Sequence, residues 1–454
     1  MHSMSRKWRA RRGRRGPIGG SSPSQPKQSA RRIPGQVLAR TGTAGALAAG
    51  VVLAGWAGLS AAAPGAHERA AAAKPVVIGA SLSLSGDFSG AGKDFTRGYH
   101  LWQAYQNAHG GLLGRKIELK IISDKSTPTQ AATNYDTLIA HDHVTLTIGP
   151  FSSLLTLPSA KVAHRFGYAL VEGAGGAPDI FKQHLDNVFD VSYPVATGLT
   201  PFAKWIASMP KSKRPTTAAY ATITTIFTSS AFPTARSILE KAGVKTVYTK
   251  VFPTETTDFT PIADAMAASK AQIALVGSVD VPTVSAFMSS FETAHYNPKA
   301  LIFTSGPDEG ATFLKAVGTK NAIGIMNPNG WYPGIKNPLS EAMVKEYIKT
   351  YGGTATDVTA TTAEAYSVGE VLTQAVDATH SLTNKKIIQY LHSGKTMTSV
   401  QGPVKFNALG ENVDGLVFCF QWQLVHGKPT LVQVLPTNAV GSVRPLYPKP
   451  PWSS

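Results

Sequence analysis

The chain has 454 residues, of which 43% are hydrophobic, so it has enough apolar material for folded domains and is not disordered throughout. Its single cysteine excludes an internal disulfide and a zinc site built from several cysteines. The length suggests two or more domains, and the formal net charge of +17 would suit a protein that binds polyanions.

Most of the excess charge lies at the start of the chain. Residues 1–66 contain eleven Lys and Arg and no acid, which leaves 33 basic and 27 acidic residues, a net +6, in 67–454. An uncharged stretch rich in Ala and Gly covers 41–63, and small residues follow at 61–66. This order of basic, apolar and small residues predicts an export signal. Because the apolar stretch separates the basic arm from the rest, we expect no nucleic-acid partner.

The export route of this segment and its cleavage each have an alternative. Arg31-Arg32 could belong to a twin-arginine signal, although residues 33–35 fit that pattern poorly. The apolar stretch is long enough to remain as a membrane anchor, but its Ala and Gly content weakens insertion. We expect cleavage near Ala66 and an extracytoplasmic location. Since no Cys lies near the cleavage zone, we do not expect a lipoprotein.

Strand and helix patterns alternate from residue 75 onwards. The predicted strands are 75–84, 117–122, 145–148 and 168–172, and the predicted helices are 94–109, 129–141 and 157–166. Alternation with short connections indicates a parallel sheet covered by helices on both faces. The loops 85–92, 149–153 and 173–178 should therefore meet at the carboxyl edge of this sheet, where α/β proteins bind ligands.

A second unit of similar size follows. Its predicted helices are 200–208, 235–242, 259–269 and 284–294, and its predicted strands are 217–221, 244–252, 273–277 and 300–303. We therefore predict an α/β protein with two doubly wound parallel-sheet lobes. The cleft between them is the expected ligand site.

Signatures of catalysis are absent from the sequence. There is no Gly-x-Ser-x-Gly elbow and no phosphate-binding loop, and the glycines of 85–92 lack the dinucleotide-binding spacing. His141 and His143 fall at a helix-to-strand junction at the far end of the sheet, which favours a solvated pair over a metal site. Cys419 lies in an apolar run and is expected in the core. We predict no enzymatic activity, no cofactor and no metal.

The loops instead provide neutral hydrogen-bonding groups. The hydroxyls of Ser85, Ser152 and Ser153, and the backbone amides of Ser153, Gly175 and Gly176, could donate to a carboxylate. A single Ser in such a loop is more often a helix cap, but three loops at one edge favour a site. Aromatic residues outside the periodic patterns suit a largely apolar ligand: Phe88, Phe151, Phe227, Trp331 and Tyr332.

These features together resemble a known family. Shared motifs are Leu84-Ser85-Gly86, the Gly110-Gly111…Gly114-Arg115 turn, Ile148-Gly149-Pro150…Ser152-Ser153, Pro158, Gly402–Phe406 with Gly410, and the tail Tyr447–Trp452. Their order and spacing resemble the extracytoplasmic solute-binding proteins of ABC transporters, in the leucine/isoleucine/valine-binding, or type I periplasmic binding protein, family.

The resemblance implies two lobes joined by three crossovers, near Pro194, Met326 and Gly402. The implied boundaries are 75–194 with 327–402 for the first lobe, 195–326 with 403–435 for the second, and 436–454 for a carboxyl-terminal tail. It also implies a monomer that traps a small molecule by closing its lobes and delivers it to the ABC permease subunits.

The family's site residues can be placed on this sequence. Ser153 and Gly175-Gly176 match the groups that hold a ligand carboxylate, and Asp308 matches the acid that pairs with a ligand ammonium. A turn residue after Pro307 is the alternative for Asp308. The complete set of ligand-binding candidates is Phe88, Ser152, Ser153, Gly175, Gly176, Phe227, Asp280, Asp308, Trp331 and Tyr332.

Three departures from the family leave the ligand open. Phe227 stands where amino-acid binders have a Tyr, Ala91 where some relatives have a Trp, and Gly176 where the family usually has a Thr. These changes remove polar contacts and add room, so a branched-chain amino acid, an aromatic solute, an amide or a polyol would all be compatible. A sensor with an uncleaved anchor is the main alternative function; a secreted hydrolase lacks a nucleophile–base pair.

Overall fold

The computed structural model describes residues 73–452, so the predicted export segment at 1–66 lies outside the described residues. Two β-sheets, of five and seven strands, organise the described part of the chain. We call the five-stranded sheet with its covering helices lobe 1, and the seven-stranded sheet with its covering helices lobe 2.

Lobe 1 begins as a strand–helix alternation. Its first elements are β1 (Val76–Leu82), α1 (Ser89–Ala108), β2 (Ile117–Ser123), α2 (Pro128–Asp136) with a π-helical turn (Thr137–His141), β3 (Leu146–Ile148), α3 (Ser153–Arg165), β4 (Leu170–Glu172), α4 (Pro178–Phe181) and β5 (Val188–Asp190). The strands are parallel in the order β2-β1-β3-β4-β5. Val76 and Ile78 enter the core on one face of the sheet and Val77 packs on the other, as a doubly covered sheet requires.

Lobe 2 repeats the alternation. Its elements are α5 (Thr200–Ser208), β6 (Thr217–Ile223), α6 (Ile226–Lys241), β7 (Lys245–Phe252), α7 (Thr260–Ala268), β8 (Ile273–Gly277), α8 (Val281–Thr293), β9 (Ala300–Phe303), α9 (Ala311–Val317), α10 (Thr319–Ala322) and β10 (Ile325–Asn329). In β8, Ala274 and Val276 face one core and Ile273 and Leu275 face the other. This strand is therefore also covered on both faces.

The chain then returns to each lobe once. It forms α11 (Pro338–Tyr351), α12 (Ala360–Thr379), α13 (Asn384–Leu391), the hairpin β11 (Met397–Ser399) and β12 (Gly402–Val404), and finally β13 (Phe418–Val425) and β14 (Lys428–Leu435). Residues of α11, α12 and α13 join the lobe 1 core. β13 and β14 add antiparallel strands to the edge of the lobe 2 sheet beside β10.

Three chain segments connect the lobes and lie side by side. The first contains Tyr193, the second Gly330 and the third Gly415, and a Cβ on Gly415 would lie 2.8 Å from the Cα of Tyr193. We expected the third crossing near Gly402, but Val404 and Phe406 still belong to the lobe 1 core. The crossing therefore lies after this core segment and before β13.

The starts of several helices also differ from expectation. We predicted helices from 94, 157 and 235, whereas α1 begins at Ser89, α3 at Ser153 and α6 at Ile226. Ser, Gly and Thr make up most of the first turn of α1 and half of the first turns of α3 and α6, which weakens the helical apolar pattern there. Several residues that we expected in loops therefore lie in the first turns of helices.

Helix α12 is held close to α1 by glycines. A Cβ on Gly98 would lie 2.3 Å from the carbonyl oxygen of Thr362, and a Cβ on Gly369 would lie 2.1 Å from the indole of Trp102. The Trp102 indole N–H donates to Thr373 at 3.1 Å, so the ring is fixed over the helix. This close contact fixes the position of α12, which reaches the space between the lobes.

Within residues 73–452, no helix is both long enough and apolar enough to cross a membrane.

Candidate functional site

A cavity of about 80 Å³ lies between the two lobes. Most of its walls come from segments that follow strand ends in both sheets, as expected for ligand sites of α/β folds, and α12 contributes Thr361 and Glu364. Val279 of lobe 2 packs against Phe88 and Leu155 of lobe 1, so the lobes are in contact beside the cavity. The residues used below that line the cavity are Phe88, Phe151, Ser152, Ser153, Gly176, Asp190, Tyr193, Phe227, Val279, Asp308, Asn329, Thr361 and Glu364.

A second cavity adjoins the first on its outer side. It has a volume of about 460 Å³ and shares Phe88, Phe151 and Val279 with the inner cavity. The rings of Phe88 and Phe151 meet edge to face with centroids 5.7 Å apart. These aromatic side chains therefore form an apolar partition between an inner chamber and an outer one.

The start of α3 presents hydrogen-bond donors to the inner cavity. Ser152 caps the helix by accepting from the Leu154 N–H at 3.2 Å, and its φ of 77° is a conformation that residues with side chains seldom adopt. The Ser153 hydroxyl accepts from the Ala177 N–H at 3.3 Å. Among the described residues, none accepts from the backbone N–H of Ser153 or of Gly176. A ligand could use both amides.

The Gly175 amide is not available in the same way. The carboxylate of Glu172 accepts from the N–H groups of Ala174 and Gly175. A Cβ on Gly175 would lie 2.7 Å from this carboxyl group, and one on Gly149 would lie 2.1 Å from the Glu172 Cβ. Glycines at both positions thus leave room for a carboxyl group that takes the loop amides which we expected a ligand to use.

Asp308 is the carboxyl group that lobe 2 contributes to the cavity. One of its oxygens accepts from the Gly306 N–H at 2.9 Å, and the other accepts from the Asn329 side-chain amide at 2.8 Å. Burial raises its pKa, and these two hydrogen bonds oppose that rise. Asp308 is thus held in a fixed orientation with lone pairs to spare.

Lobe 1 contributes two carboxyl groups, Asp190 and Glu364. Burial raises the pKa of Asp190 to about 7, although its side chain accepts from the Ser192 N–H at 2.9 Å. Glu364, in the second turn of α12, is 9% exposed. Burial raises its pKa well above the usual range, and the charges of Asp308 and Asp190 raise it further. These groups form a cluster that is short of positive charge.

No compensating cation reaches this cluster from the described residues. None of the residues around the inner cavity is Lys, Arg or His, and within 73–452 neither Asp190, Asp308 nor Glu364 forms an ion pair. Tyr193 also faces the cavity, and the pKa of its hydroxyl is raised well above the usual range by burial and by the neighbouring carboxylates. The cavity is therefore rich in carboxyl groups and has no cationic side chain around it.

Six of the ten candidates lie on the inner cavity: Phe88, Ser152, Ser153, Gly176, Phe227 and Asp308. Gly175 does not, because its amide is turned to Glu172. Asp280 lies on the outer cavity and caps α8, accepting from the Thr283 N–H at 2.7 Å. Burial raises its pKa.

Trp331 and Tyr332, which we expected to wall the cleft, do not line the inner cavity. Trp331 is 1% exposed, and its indole N–H donates to the Ser340 hydroxyl at 2.8 Å inside lobe 1. Tyr332 packs on Phe420 with ring centroids 5.3 Å apart. Both residues line a separate cavity of about 30 Å³ behind Asp308. The sequence of a connecting segment does not indicate in which direction its aromatic side chains point.

Sequence reasoning missed the lobe 1 carboxyl groups. Asp190 is the last residue of β5, so its place at a strand end was a usable signal. Glu364 lies in α12, where fourteen of twenty residues are buried, and no apolar stripe separates a cavity side from a core side. The one signal was an acid within a largely apolar helix, which needs a partner or a function.

The chemistry of the cavity is that of binding. Cys419 is fully buried in β13, and burial raises the pKa of its thiol, so it is a core residue. Within the described part of the chain, no group of three or more His, Cys, Asp and Glu side chains is arranged to hold a metal ion. The cavity offers hydroxyls, backbone amides, carboxyl groups and aromatic faces, which suit recognition of a small polar molecule.

Comparison with known proteins gives one consistent result. The sequence model of the family described as periplasmic binding protein matches residues 75–427. The Leu/Ile/Val-binding protein homolog 3 of Brucella melitensis biotype 1 is 22% identical over 359 residues, which cover 78% of this chain and 92% of the relative.

Two solved structures illustrate the shared fold. One is the branched-chain amino acid transporter substrate-binding protein of Streptococcus pneumoniae in complex with isoleucine, with a TM-score of 0.67, 17% identity, and coverage of 79% of this chain and 99% of that one. The other is an ABC transporter solute-binding protein from R. palustris in complex with 4-hydroxybenzoate, with a TM-score of 0.69, 19% identity, and coverage of 84% and 98%. These matches confirm the predicted fold class.

The family match extends over most of the chain, includes both lobes, and carries with it an extracytoplasmic location. The protein is therefore a member of the periplasmic binding protein family, the ligand-binding components of ABC transporters.

Proposed function

We propose that the protein is a non-enzymatic receptor that binds an amino acid or a related small solute outside the cytoplasm and delivers it to the permease of an ABC importer. The observation that carries this proposal is the cavity between the lobes. It is built from strand-end segments of both sheets and combines hydrogen-bond donors on one side with Asp308 on the other.

In this proposal the two ends of an amino acid contact different lobes. Its carboxylate would accept from the hydroxyl and N–H of Ser153 and from the N–H of Gly176, and its ammonium would donate to Asp308. Phe88 and Phe227 would pack on the apolar part. A ligand that contacts both lobes stabilises the state in which they are closed, which is how a conformational change follows from differential binding.

The lobes would move about the three connecting segments. Tyr193, Gly330 and Gly415 lie together there. We propose that the protein works as a monomer, because the site is complete within one chain.

The segment at 1–66 would act as a cleaved export signal. Its basic, apolar and small-residue regions support this. Mass spectrometry of the protein recovered from the envelope of expressing cells should give a mature amino terminus near Ala66. An intact amino terminus would instead favour the membrane-anchored sensor.

A thermal-shift screen tests the binding function. A ligand that binds the folded state raises the apparent melting temperature by mass action, so amino acids, amines, aromatic acids, amides and sugars should be tested in parallel. At least one compound should stabilise the protein in a concentration-dependent way. If no compound of a broad screen does so, and no ligand co-purifies with the protein, the proposed function fails.

A further inference from the structure

We propose that the ligand carries two cationic nitrogen groups, one held by Asp308 of lobe 2 and the other by Glu364 of lobe 1, as in a basic amino acid or a diamine. This inference rests on the proposed function, because it takes the cavity between the lobes as the ligand site. It goes further in assigning Glu364 to ligand recognition and in setting the charge of the ligand.

Glu364 is the observation that supports a second cation. Its side chain is more than nine-tenths buried and lines the inner cavity, yet no residue in 73–452 donates a hydrogen bond to it or forms an ion pair with it. A buried carboxyl group without a partner is costly, and proteins rarely leave one in that state without a function. A cation in the cavity would provide the missing partner.

The carboxyl groups around Glu364 increase the electrostatic stabilisation that a cation in the cavity would provide. Asp308 and Asp190 line the same cavity and repel a charge on Glu364, and Glu172 lies close enough to interact with it. A single ligand ammonium at Asp308 would balance one of three cavity carboxylates. Two cationic groups would balance the facing pair, one on each lobe, and so draw the lobes together.

The outer cavity is also lined by acidic residues. Asp87, Asp280 and Glu309 lie around it, and among its described residues there is no Lys, Arg or His. This concentration of acids contrasts with the net +6 of residues 67–454. Burial raises the pKa of Glu309 to about 8 and also raises that of Asp280, so a nearby cation is needed to favour their charged forms at neutral pH. In their charged forms, these groups favour the approach of cations over that of aromatic carboxylates.

Few hydrogen-bond donors in the inner cavity are available to hold an anionic group of a ligand. Glu172 takes the N–H groups of Ala174 and Gly175, which leaves the Ser153 and Gly176 amides with the Ser153 hydroxyl. These donors can accommodate one ligand carboxylate, but nothing in the cavity neutralises it. A carboxylate is therefore tolerated rather than required, and the cationic groups should contribute most of the affinity.

A matched set of ligands tests this assignment by calorimetric titration of the mature protein. L-Lysine, 1,5-diaminopentane and L-norleucine share one carbon chain and differ in which charged groups they carry. L-Arginine, L-leucine and 4-hydroxybenzoate complete the set. We expect L-lysine or L-arginine to bind at least about 30-fold more tightly than L-norleucine, the size expected for a buried charge pair. The diamine should retain more affinity than L-norleucine.

Variants separate a ligand contact from a structural role. Glu364→Gln keeps the shape of the side chain and should lower the affinity for L-lysine by about 30-fold while leaving that for L-norleucine unchanged. Glu370→Gln is the matched control, because Glu370 lies on the same helix, is partly buried, and accepts from the Val400 N–H away from the cavity. If Glu364→Gln does not fold, Asp308→Asn tests the same clamp from the opposite lobe.

The possible failures are distinguishable. If L-norleucine, L-leucine or 4-hydroxybenzoate binds as tightly as L-lysine, or if Glu364→Gln leaves the affinity for L-lysine unchanged, the cationic assignment is overturned while the proposed solute-binding function stands. If no compound of the set or of the broader screen binds, both proposals are overturned.

Discussion

The two lobes present different walls to the same cavity. Lobe 2 provides Asp308, whose carboxyl oxygens are both hydrogen-bonded and fixed in orientation before any ligand arrives. Lobe 1 provides Glu364, which has no partner in the described part of the chain, and Asp190, whose pKa burial raises to about 7. The lobe 2 wall is preorganised, whereas the carboxyl groups of the lobe 1 wall have no positively charged partner among the described residues. In the proposed mode of binding, a ligand would gain orientation from the lobe 2 wall and relieve repulsion on the lobe 1 wall.

This difference has a consequence for closure. In the proposed mode of binding, each lobe would hold one cationic group, and repulsion among the charged carboxylates would oppose their approach unless positive charge lies between them. The ligand would then be a component of the closed structure. The predictions below disturb one wall at a time, beginning with the largest expected effect.

Removal of the preorganised carboxylate should be the most severe change to binding. Asp308→Ala is expected to weaken L-lysine binding by about 2–5 kcal/mol, or roughly 30- to 4,000-fold, because a buried charge partner is lost. Titration calorimetry measures this directly. Asp264→Ala, at an exposed acid of α7, is the control and should bind as the unaltered protein does. An Asp308→Ala variant with undiminished affinity would contradict the role of lobe 2.

The electrostatic strain of lobe 1 should appear as a pH dependence of the ligand-free protein. The folded-state pKa of Asp190 is raised, so its contribution to stability is complete below its unfolded pKa of about 3.9 and is lost as pH rises through about 7. The charged neighbours that face it are Glu172, Glu364 and Glu411. The loss is on the order of a few kcal/mol.

Denaturant titrations at pH 5 and pH 8 measure this loss. The unaltered protein should be less stable at pH 8, and Asp190→Asn, which cannot ionise but can still accept from the Ser192 N–H, should show a smaller difference. Saturating L-lysine should also reduce it. If the pH dependence is unchanged in Asp190→Asn, this residue is not its source.

A backbone change can displace the lobe 1 wall without touching a charge. Gly369→Ala would place a methyl group 2.1 Å from the Trp102 indole at the contact between α1 and α12, and α12 carries Glu364. We expect a loss of about 1–3 kcal/mol in the free energy of unfolding, typical of overpacking. Ala378→Val, on an exposed face of the same helix, is the control and should cost much less. Equal losses in the two variants would mean that the glycine contact is unimportant.

The smallest expected effect concerns the carboxylate end of an amino acid. Ser153→Ala should weaken L-lysine binding by about 0.5–1.5 kcal/mol, the usual worth of one hydrogen bond, and should leave 1,5-diaminopentane unaffected. Ser159→Ala is the matched control, because this buried hydroxyl of α3 donates to the Leu155 carbonyl instead. Equal effects of Ser153→Ala on both ligands would place the carboxylate elsewhere.

Much of the fold could be predicted from the sequence because alternating apolar strands and periodic helices carry a strong signal. The predicted strand at 273–277 coincides with β8, and the predicted helix at 200–208 coincides with α5. The helix starts at Ser89 and Ser153 were missed, since polar first turns have no periodicity. Ser89 lines the outer cavity and Ser153 lines the inner one.

The candidate site was only partly predictable for a related reason. Asp308 lies in the loop after β9, and it was predicted from its match to the acid of the resembling family. Glu364 reaches the cavity from a helix that arrives late in the chain and packs against α1, a contact between residues more than 250 positions apart. Trp331 was placed in the cleft on its residue type alone, and its hydrogen bond to Ser340 directs it into the core instead. The positions of Glu364 and Trp331 depend on packing between distant parts of the chain, which local sequence patterns do not encode.

The most direct test of the account is a crystal structure of the protein with L-lysine bound. The account predicts one ligand nitrogen within hydrogen-bond distance, about 3 Å, of the Asp308 carboxylate and the other at the same distance from Glu364, with the lobes closed around them. A structure in which the ligand lies between the lobes with Glu364 facing its apolar part, or with both nitrogens away from Glu364, would contradict it.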